Sequence, residues 1–230
     1  MSVLLLVRHG QASWGAEDYD VLSERGERQS RILGEALAAR GFRPDLVVQG
    51  SMRRHRQTAE AVSAGAGWDV PPVVDEGWDE FDHQQMLALH PTGVGEDEEL
   101  TAARFQEWFE QATARWTEGR HAEEYDESFA AFGRRVEAAL ARTVERLGPR
   151  ESGVVFTSGG PVSWVAAHLL TRAPSSARPS GDAGAEVWQR LNPVVVNASV
   201  TKLVVGRRGT TLVSFNDHAH LEAAGLVTYR

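Results

Sequence analysis

The chain has 230 residues, 42% hydrophobic and 24% charged, which is enough to bury the core of one large domain. Its formal net charge of −8 argues against nucleic acid as a partner, because an acidic surface repels polyanions. The absence of cysteine excludes disulfides, thiolate metal sites and a cysteine nucleophile.

The first predicted element is a buried strand over Val3–Val7, an apolar run that ends just before Arg8, His9 and Gly10. This run is too short for a signal peptide, and no segment approaches the roughly 20 apolar residues that span a bilayer. We therefore expect a cytoplasmic protein without membrane contact. A helical pattern follows, opening at Ser23.

The same strand-then-helix pattern occurs twice more. The segments are Leu46–Gln49 with Met52–Val62, and Gly153–Thr157 with Val162–Leu170, where Gly159, Gly160 and Pro161 are predicted to form the turn. This alternation predicts an α/β fold with three layers, a mainly parallel sheet flanked by helices. Near the end, Val200–Val205 and Thr211–Phe215 predict a hairpin of strands.

Residues from about 86 to 147 depart from this pattern, because helical periodicity persists there with no strand between the helical segments. We interpret this stretch as a helical lid insertion that covers one end of the sheet and shapes a substrate pocket. Residues 174–185, rich in Pro, Ser, Gly and Ala, predict a surface loop. Without a domain linker, residues 1–230 are predicted to form a single domain.

The best candidate for chemistry is the tripeptide that follows the first strand. Ligands of open α/β sheets bind beyond the carboxyl ends of the strands, where Arg8, His9 and Gly10 are expected. A neutral imidazole can attack phosphorus, an arginine can bind the phosphoryl oxygens, and a glycine lets the backbone come close to them. Arg54, in the first turn of the next predicted helix, is expected to point toward the same pocket.

Several segments resemble, in the right order, the motifs of the histidine phosphatase (phosphoglycerate-mutase-like) superfamily, branch 1. These are LLLVRHGQAS, LSERGERQSRILGEAL, SMRRHRQTAE, VVFTSGGPVSWV, NASVTKLVV and NDHAHL, which together extend over almost the whole chain. The third segment places the family's second phosphate-binding arginine on Arg54 rather than Arg53. The fourth places Ser158 and Gly159 at the family's remaining phosphate-binding positions.

This resemblance implies a phospho-enzyme mechanism that uses no metal and no cofactor, with His9 as the phosphate-accepting nucleophile. It also implies a carboxylic acid that protonates the leaving oxygen. Glu80 is the best match and Glu76 the second choice. A cluster of like charges, here with Asp79 and Asp82, would raise one carboxyl pKa and suit a general acid.

Ser158 is a departure from the family pattern, because the family usually has a second histidine before its paired glycines. A serine hydroxyl can donate one hydrogen bond to a phosphoryl oxygen but brings no positive charge. Since charge-assisted hydrogen bonds are stronger than neutral ones, we expect a loss of about tenfold to a hundredfold in catalysis. One hypothesis is that His83 or His218 lends the missing charge.

For two other features we prefer a structural role to a functional one. His218 and His220 form an H-x-H pattern that on a strand would place two metal ligands on one face, but no third ligand accompanies them, so a structural role is favoured. Trp14 and Trp78 flank the proposed catalytic loops and could stack on a substrate, although packing in the core or lid is the commoner role.

The sequence thus predicts a metal-independent phosphatase that hydrolyses a small phosphomonoester through a phosphohistidine on His9. Arg8 and Arg54 would bind the phosphoryl oxygens, with Ser158 as a weaker donor and Glu80 as the acid. One alternative is a phosphoglycerate-type mutase, although the segment after Glu80 lacks the ERHYG pattern of glycolytic mutases. Another is a catalytically weakened phospho-ligand binding protein. A homodimer is possible, but no interface is indicated.

Overall fold

A mixed six-stranded sheet forms the centre of the computed structural model, which describes residues 1–13, 20–91, 101–171 and 181–229. The strands are β1 (Ser2–Arg8), β2 (Leu46–Gln49), β3 (Val73–Val74), β4 (Ser152–Thr157), β5 (Val200–Gly206) and β6 (Gly209–Asp217). Across the sheet they lie in the order β3-β2-β4-β1-β5-β6. Strands β3, β2, β4 and β1 are parallel to one another, whereas β5 runs antiparallel to both β1 and β6.

Helices cover both faces of this sheet. In chain order they are α1 (Glu24–Ala39), α2 (Arg53–Ala66), α3 (His83–Ala88), α4 (Ala102–Glu118), α5 (Phe129–Arg146), α6 (Gly159–Thr171), α7 (Gly181–Leu191) and α8 (Ala219–Glu222), with 3₁₀ turns at Glu76–Trp78, Ala122–Glu124 and Asn192–Val194. Within the described ranges, none of the helices has the length and apolar content needed to cross a bilayer.

The side chains of β1 show why the layers form. Successive residues of a strand point to opposite faces of the sheet. Leu5 and Val7 pack in one buried cluster with residues of α1 and α2, whereas Leu4 and Leu6 pack in a second cluster with residues of α5, α6 and α7. Both faces of the central strand are therefore buried, which confirms the predicted three-layer α/β fold.

Two local predictions need correction. Gly159, Gly160 and Pro161 do not form a separate turn, because α6 already begins at Gly159 and Pro161 lies in its first turn, where its missing N–H costs no helical hydrogen bond. Of the loop predicted over residues 174–185, residues 174–180 lie outside the described residues. From Gly181 onward the chain is helical rather than a loop.

The predicted insertion over residues 86–147 contains helices, but they occupy two positions. Phe105 and Phe109 of α4 line a cavity near the end of β1. Helix α5 instead buries one face, including Phe132 and Val136, in the cluster that contains Leu4 and Leu6 of β1. The second half of the insertion is therefore part of the helical layer over the sheet rather than a lid.

Candidate active site

The sequence-predicted residues meet at the carboxyl ends of β1 and β4. A cavity of about 90 Å³ opens there. Of the predicted phosphate-binding and catalytic residues, Arg8, His9, Arg54, Glu80 and Gly159 line this cavity. The other described lining residues are Ala12, Phe81, His83, Phe105, Phe109, Asn192 and Asn197.

The backbone of His9 is held by hydrogen bonds on both sides. Its N–H donates to the Thr157 carbonyl at the end of β4, at 2.8 Å. Its carbonyl accepts from the Ala198 N–H at 3.2 Å and from the Asn197 side-chain amide at 3.3 Å. Ala198 has a left-handed φ of 57°, a strained conformation for alanine that lets the chain before β5 turn toward His9.

The His9 imidazole has one nitrogen with a defined role. Nδ1 lies 2.7 Å from the Gly10 carbonyl oxygen. Because a carbonyl only accepts, Nδ1 carries the proton in this hydrogen bond and leaves a lone pair on Nε2. Burial, together with the nearby charges of Arg54 and Arg8, holds the pKa of His9 well below its ordinary value. His9 is therefore neutral near pH 7, as a nucleophile must be.

Gly10 packs closely against α1. It does not appear among the residues that line the cavity. A Cβ at this position would lie 2.3 Å from the Gly26 carbonyl oxygen in α1, and the Gly10 N–H donates to Thr58 Oγ1 at 3.1 Å. The absence of a side chain therefore lets the RHG loop pack against α1, and the contact of Gly10 with a phosphate stays a prediction.

The two arginines reach the cavity from different elements. The Arg8 guanidinium donates through Nη1 to the carbonyls of Val195 and Tyr229, the latter at 2.7 Å. Arg54 is buried and its Nη1 lies 2.8 Å from Asp20 Oδ1. Arg53 is exposed on the same helix. The structure thus places Arg54, as the resemblance implied, in the cavity.

Glu80, rather than Glu76, faces the site. Its carboxylate accepts hydrogen bonds from the Gly160 N–H at 3.2 Å and from the Phe81 N–H at 3.3 Å. Burial raises the pKa of Glu80, against the opposing effect of the Gly160 hydrogen bond and the two arginines. Glu76 is exposed and does not line the cavity.

The cause of this shift differs from the expected cluster of like charges. Asp82 caps α3, accepting from the Gln84 N–H at 2.9 Å. Asp79 accepts from the Ser51 N–H at 2.6 Å and from the Ser51 hydroxyl. Neither carboxylate is among the causes of the Glu80 shift. Desolvation therefore makes Glu80 a candidate acid.

Ser158 is fully buried, is next in the chain to the lining residue Gly159, and does not itself line the cavity. Its hydroxyl oxygen lies 2.7 Å from Nε2 of His55. The His55 ring is itself fully buried, and its centre lies 5.9 Å from the centre of the His9 ring. His55 was not among the residues predicted from the sequence, although its position directly after Arg54, in the first turn of α2, was the available signal.

His55 faces a carboxylate on its other side. Its Nδ1 lies 3.6 Å from Asp79 Oδ1, longer than a normal hydrogen bond but close enough for a strong electrostatic interaction. Gly50 makes this approach possible, since a Cβ there would lie 2.2 Å from His55 Nδ1 and 2.5 Å from Asp79 Oδ1. Asp79, His55 and Ser158 thus form a continuous polar chain next to His9.

Of the two histidines proposed to lend charge to Ser158, one lies at the cavity and the other does not. His83 lines the cavity, whereas His218 is placed outside the lining, with Nδ1 at 2.6 Å from the Asn216 carbonyl. His220 belongs to α8, not to a strand, and contacts the Ala198 carbonyl. In the described part of the chain, no group of three or more potential metal ligands is found.

Of the two tryptophans predicted to pack in the core or lid, the structure describes one. Trp78 is fully buried in the core and donates through Nε1 to Thr143 Oγ1 at 3.1 Å, in agreement with the preferred packing role. Trp14 lies outside the described residues.

Comparisons with known proteins identify the family of the chain. The family model described as histidine phosphatase superfamily (branch 1) matches residues 4–218. The chain therefore belongs to the histidine phosphatase superfamily, branch 1.

Its curated relatives include phosphoryl-transfer enzymes. The chain is 40% identical over 80 residues to a 2,3-bisphosphoglycerate-dependent phosphoglycerate mutase of Thermobifida fusca, a match that covers 32% of each chain. It is 29% identical over 166 residues to a probable phosphoglycerate mutase of Citrobacter koseri, covering 70% of each. The matches to the mutases of Thermobifida, Methylobacterium and Mesorhizobium extend over only 32% to 46% of those proteins.

Solved structures share the fold over nearly the whole chain. A phosphoserine phosphatase from Entamoeba histolytica superimposes with a TM-score of 0.66 and 18% identity, covering 96% of this chain and 100% of that one. A mycobacterial glucosyl-3-phosphoglycerate phosphatase gives 0.64 and 23%, covering 93% and 98%. A phosphoglycerate mutase from Bacillus anthracis gives 0.66 and 19%, covering 97% and 96%. At these identities the likeness establishes the fold alone.

Proposed function

We propose that the protein is a metal-independent phosphatase that hydrolyses a small phosphomonoester through a phosphohistidine on His9. The observation that carries this proposal is the shared cavity: His9, Arg8, Arg54 and Glu80 all line it. A neutral nucleophile, two fixed positive charges and a carboxyl group of raised pKa are the groups that phosphoryl transfer to a histidine requires.

In the first step, His9 Nε2 attacks phosphorus and the bond from phosphorus to the ester oxygen breaks. The guanidinium groups of Arg8 and Arg54 bind the phosphoryl oxygens and stabilise the charge that develops on them. Glu80 transfers its proton to the leaving ester oxygen, so that an alcohol departs and a carboxylate remains.

In the second step, the Glu80 carboxylate takes a proton from water. The resulting hydroxide attacks phosphorus and the bond to His9 Nε2 breaks, which regenerates the neutral imidazole and releases inorganic phosphate. Glu80 returns to its protonated form, so each group ends the cycle as it began. The carboxyl group acts as an acid and then as a base, a dual role that a pKa shifted toward neutrality favours.

The residues around the cavity favour a phosphatase over a phosphoglycerate mutase. A phosphoglycerate carries a carboxylate besides its phosphate, and recognition of both charges calls for additional cationic groups. Among the described residues that line the cavity, the only arginine or lysine side chains are those of Arg8 and Arg54. Much of the remaining wall is formed by Phe81, Phe105 and Phe109, which suits a leaving alcohol with an apolar portion.

The proposal is tested by hydrolysis of para-nitrophenyl phosphate with and without EDTA. Turnover is expected in both conditions and is expected to be lost in His9→Ala. His218→Ala is a matched control, since this histidine lies outside the cavity lining. Turnover that survives in His9→Ala, or that EDTA abolishes, would contradict the mechanism.

A second candidate function, a phospho-ligand binding protein of weakened activity, is supported by Ser158 in place of the family's second histidine. Orthovanadate binding distinguishes the two. If the wild-type protein binds vanadate but turns over neither para-nitrophenyl phosphate nor a panel of phosphorylated metabolites, the binding function replaces the phosphatase.

A further inference from the structure

The phosphoryl site has a feature that the proposed reaction does not use: the buried chain from Asp79 through His55 to Ser158. Ser158 alone brings no charge to the site, but its oxygen is 2.7 Å from an imidazole nitrogen. That imidazole lies 3.6 Å from a carboxylate on its far side. We propose that His55 is a positioning residue that supplies a positive charge to the phosphoryl group through Ser158, with Asp79 stabilising its protonated form.

This inference rests on the proposed phosphatase function and adds a residue to it. In the resting protein, Asp79 is ionised: burial would raise its pKa, but the interactions with His55 and Ser51 outweigh burial and lower it. A carboxylate next to Nδ1 favours the tautomer with its proton on Nδ1. His55 Nε2 then accepts the hydrogen bond from the Ser158 hydroxyl, and the ring is neutral.

Binding of a phosphoryl group changes this balance. Four charged or titratable groups face His55: Asp79, Asp20, Arg54 and His9. Burial and Arg54 lower the pKa of His55, while Asp79 and Asp20 raise it. A dianion bound by Arg8 and Arg54 adds two negative charges close to the ring, in a buried site where screening is weak, and so favours the imidazolium.

The proton that His55 gains has one of two sources, depending on the charge of the phosphate that binds. When a phosphate monoanion binds, its proton moves to Ser158 Oγ as the Ser158 proton moves to His55 Nε2, giving a dianion and an imidazolium. When a dianion binds, one proton comes from solvent. In both cases the end state is the same: His55 Nε2–H donates to Ser158 Oγ, and the Ser158 hydroxyl donates to a phosphoryl oxygen.

The glycine at residue 50 indicates that the approach of His55 to Asp79 is a specific feature of the fold rather than an accidental contact. Any side chain at this position would collide with both His55 Nδ1 and Asp79 Oδ1. Asp79 is in turn fixed by two hydrogen bonds from Ser51. Residues 50 and 51, directly after β2, therefore create the space for the His55–Asp79 pair and orient its carboxylate.

The first test counts protons. Calorimetry of inorganic phosphate binding at pH 7.5, in two buffers of different ionisation enthalpy, gives the number of protons taken up. We expect the wild type to take up more protons than His55→Gln, with Asp79→Asn in between. A merely structural role for His55 would leave this number unchanged. His220→Gln is the matched control, because it removes another hydrogen-bonded histidine away from the cavity.

The second test moves the histidine. His55→Gln is expected to lower kcat/KM for para-nitrophenyl phosphate by about tenfold, the difference between a charge-assisted and a neutral hydrogen bond. The double variant His55→Ala/Ser158→His, which places the ring where the family usually has it, is expected to recover activity to within about threefold of wild type. Melting temperatures identify variants that fail to fold, and Asp79→Asn, at a partly exposed residue, provides a milder variant.

Unchanged proton uptake and unchanged kcat/KM in both His55→Gln and Asp79→Asn would overturn the proposal. If wild-type turnover still depended on His9, the phosphatase function would stand and only this inference would fail. If the wild type neither hydrolysed para-nitrophenyl phosphate nor bound phosphate or vanadate, both would fail together.

Discussion

The Glu80 carboxylate lies directly over Gly160, accepting its N–H at 3.2 Å, in a space that any side chain at residue 160 would occupy. A Cβ there would lie 2.1 Å from Glu80 Oε1. The second glycine of the SGGP segment therefore makes room for the candidate acid at the start of α6. This contact joins two segments that are 80 residues apart in the chain.

Gly160→Ala is expected to displace Glu80 and to lower kcat/KM while the protein still folds. The overlap is expected to lower the free energy of unfolding by about 1–3 kcal/mol. Gly184→Ala in α7 is the matched control, because its nearest atom, Thr171 Oγ1, would be 3.8 Å away. Gly184→Ala is expected to leave activity intact. Equal activities in the two variants, measured with para-nitrophenyl phosphate, would argue against this role of Gly160.

Glu80→Gln removes the proton donor and is expected to reduce kcat/KM by about 10²- to 10⁴-fold. Because burial raises the pKa of Glu80 and the acid form is required, wild-type activity is expected to fall as the pH rises through that pKa. The variant is expected to lack this decrease. Glu76→Gln, the control at an exposed carboxylate, is expected to keep the wild-type pH profile. If Glu76→Gln altered the pH profile and Glu80→Gln did not, the acid would be Glu76 rather than Glu80.

His9 is expected to make folding stability depend on pH. Its folded pKa lies well below the ordinary value of 6.5, so below pH 6.5 the unfolded chain binds a proton that the folded protein does not. Stability is therefore complete above pH 6.5 and is lost as the pH falls toward the folded pKa. The His9→Asn variant removes this contribution, at most about 1.4 kcal/mol per pH unit.

Urea unfolding of wild type and His9→Asn at pH 7.5, 6.5 and 5.5 checks this prediction. The free energy of unfolding is expected to fall more steeply with acidification in the wild type than in the variant. Parallel curves would mean that His9 accepts a proton in the folded protein as readily as in the unfolded chain.

Arg54→Lys is expected to weaken orthovanadate binding by about tenfold or more, because a lysine cannot form two parallel hydrogen bonds to the oxygens. It also loses the guanidinium pairing with Asp20. Arg53→Lys changes the exposed neighbouring arginine and is expected to leave affinity unchanged. Vanadate inhibition constants of the two variants measure the difference, and a larger effect from Arg53→Lys would contradict the placement.

The local elements and the residues that lie directly at strand ends were predictable from the sequence. Residues 3–7 of β1 are an uninterrupted apolar run, and the Arg8-His9-Gly10 tripeptide after this run must emerge at the carboxyl edge of the sheet. Arg54 was similarly predictable, because it lies in the first turn of α2, the helix that follows β2. These assignments depend on short-range patterns, which a single sequence contains.

Other features depend on contacts between distant segments. The role of Gly10 comes from the position of Gly26 across the loop, and the roles of His55 and Asp79 come from how far α2 is rotated against β4. Two consecutive residues of a helix differ by about 100° in direction, so Arg54 and His55 need not serve one site. The packing of α2 against the end of β4 decides that both do.

The hydrogen bonds of the His9 carbonyl bear on the order of folding. Asn197 and Ala198, which hydrogen-bond to the His9 carbonyl, follow His9 by 188 and 189 positions in the chain. Until residues 197 and 198 pack against it, a folding chain contains the His9 imidazole without these backbone hydrogen bonds. Contacts of such long sequence separation form late and slowly. The backbone geometry of His9 is thus completed only when the segment around residues 197 and 198 docks against the end of β1.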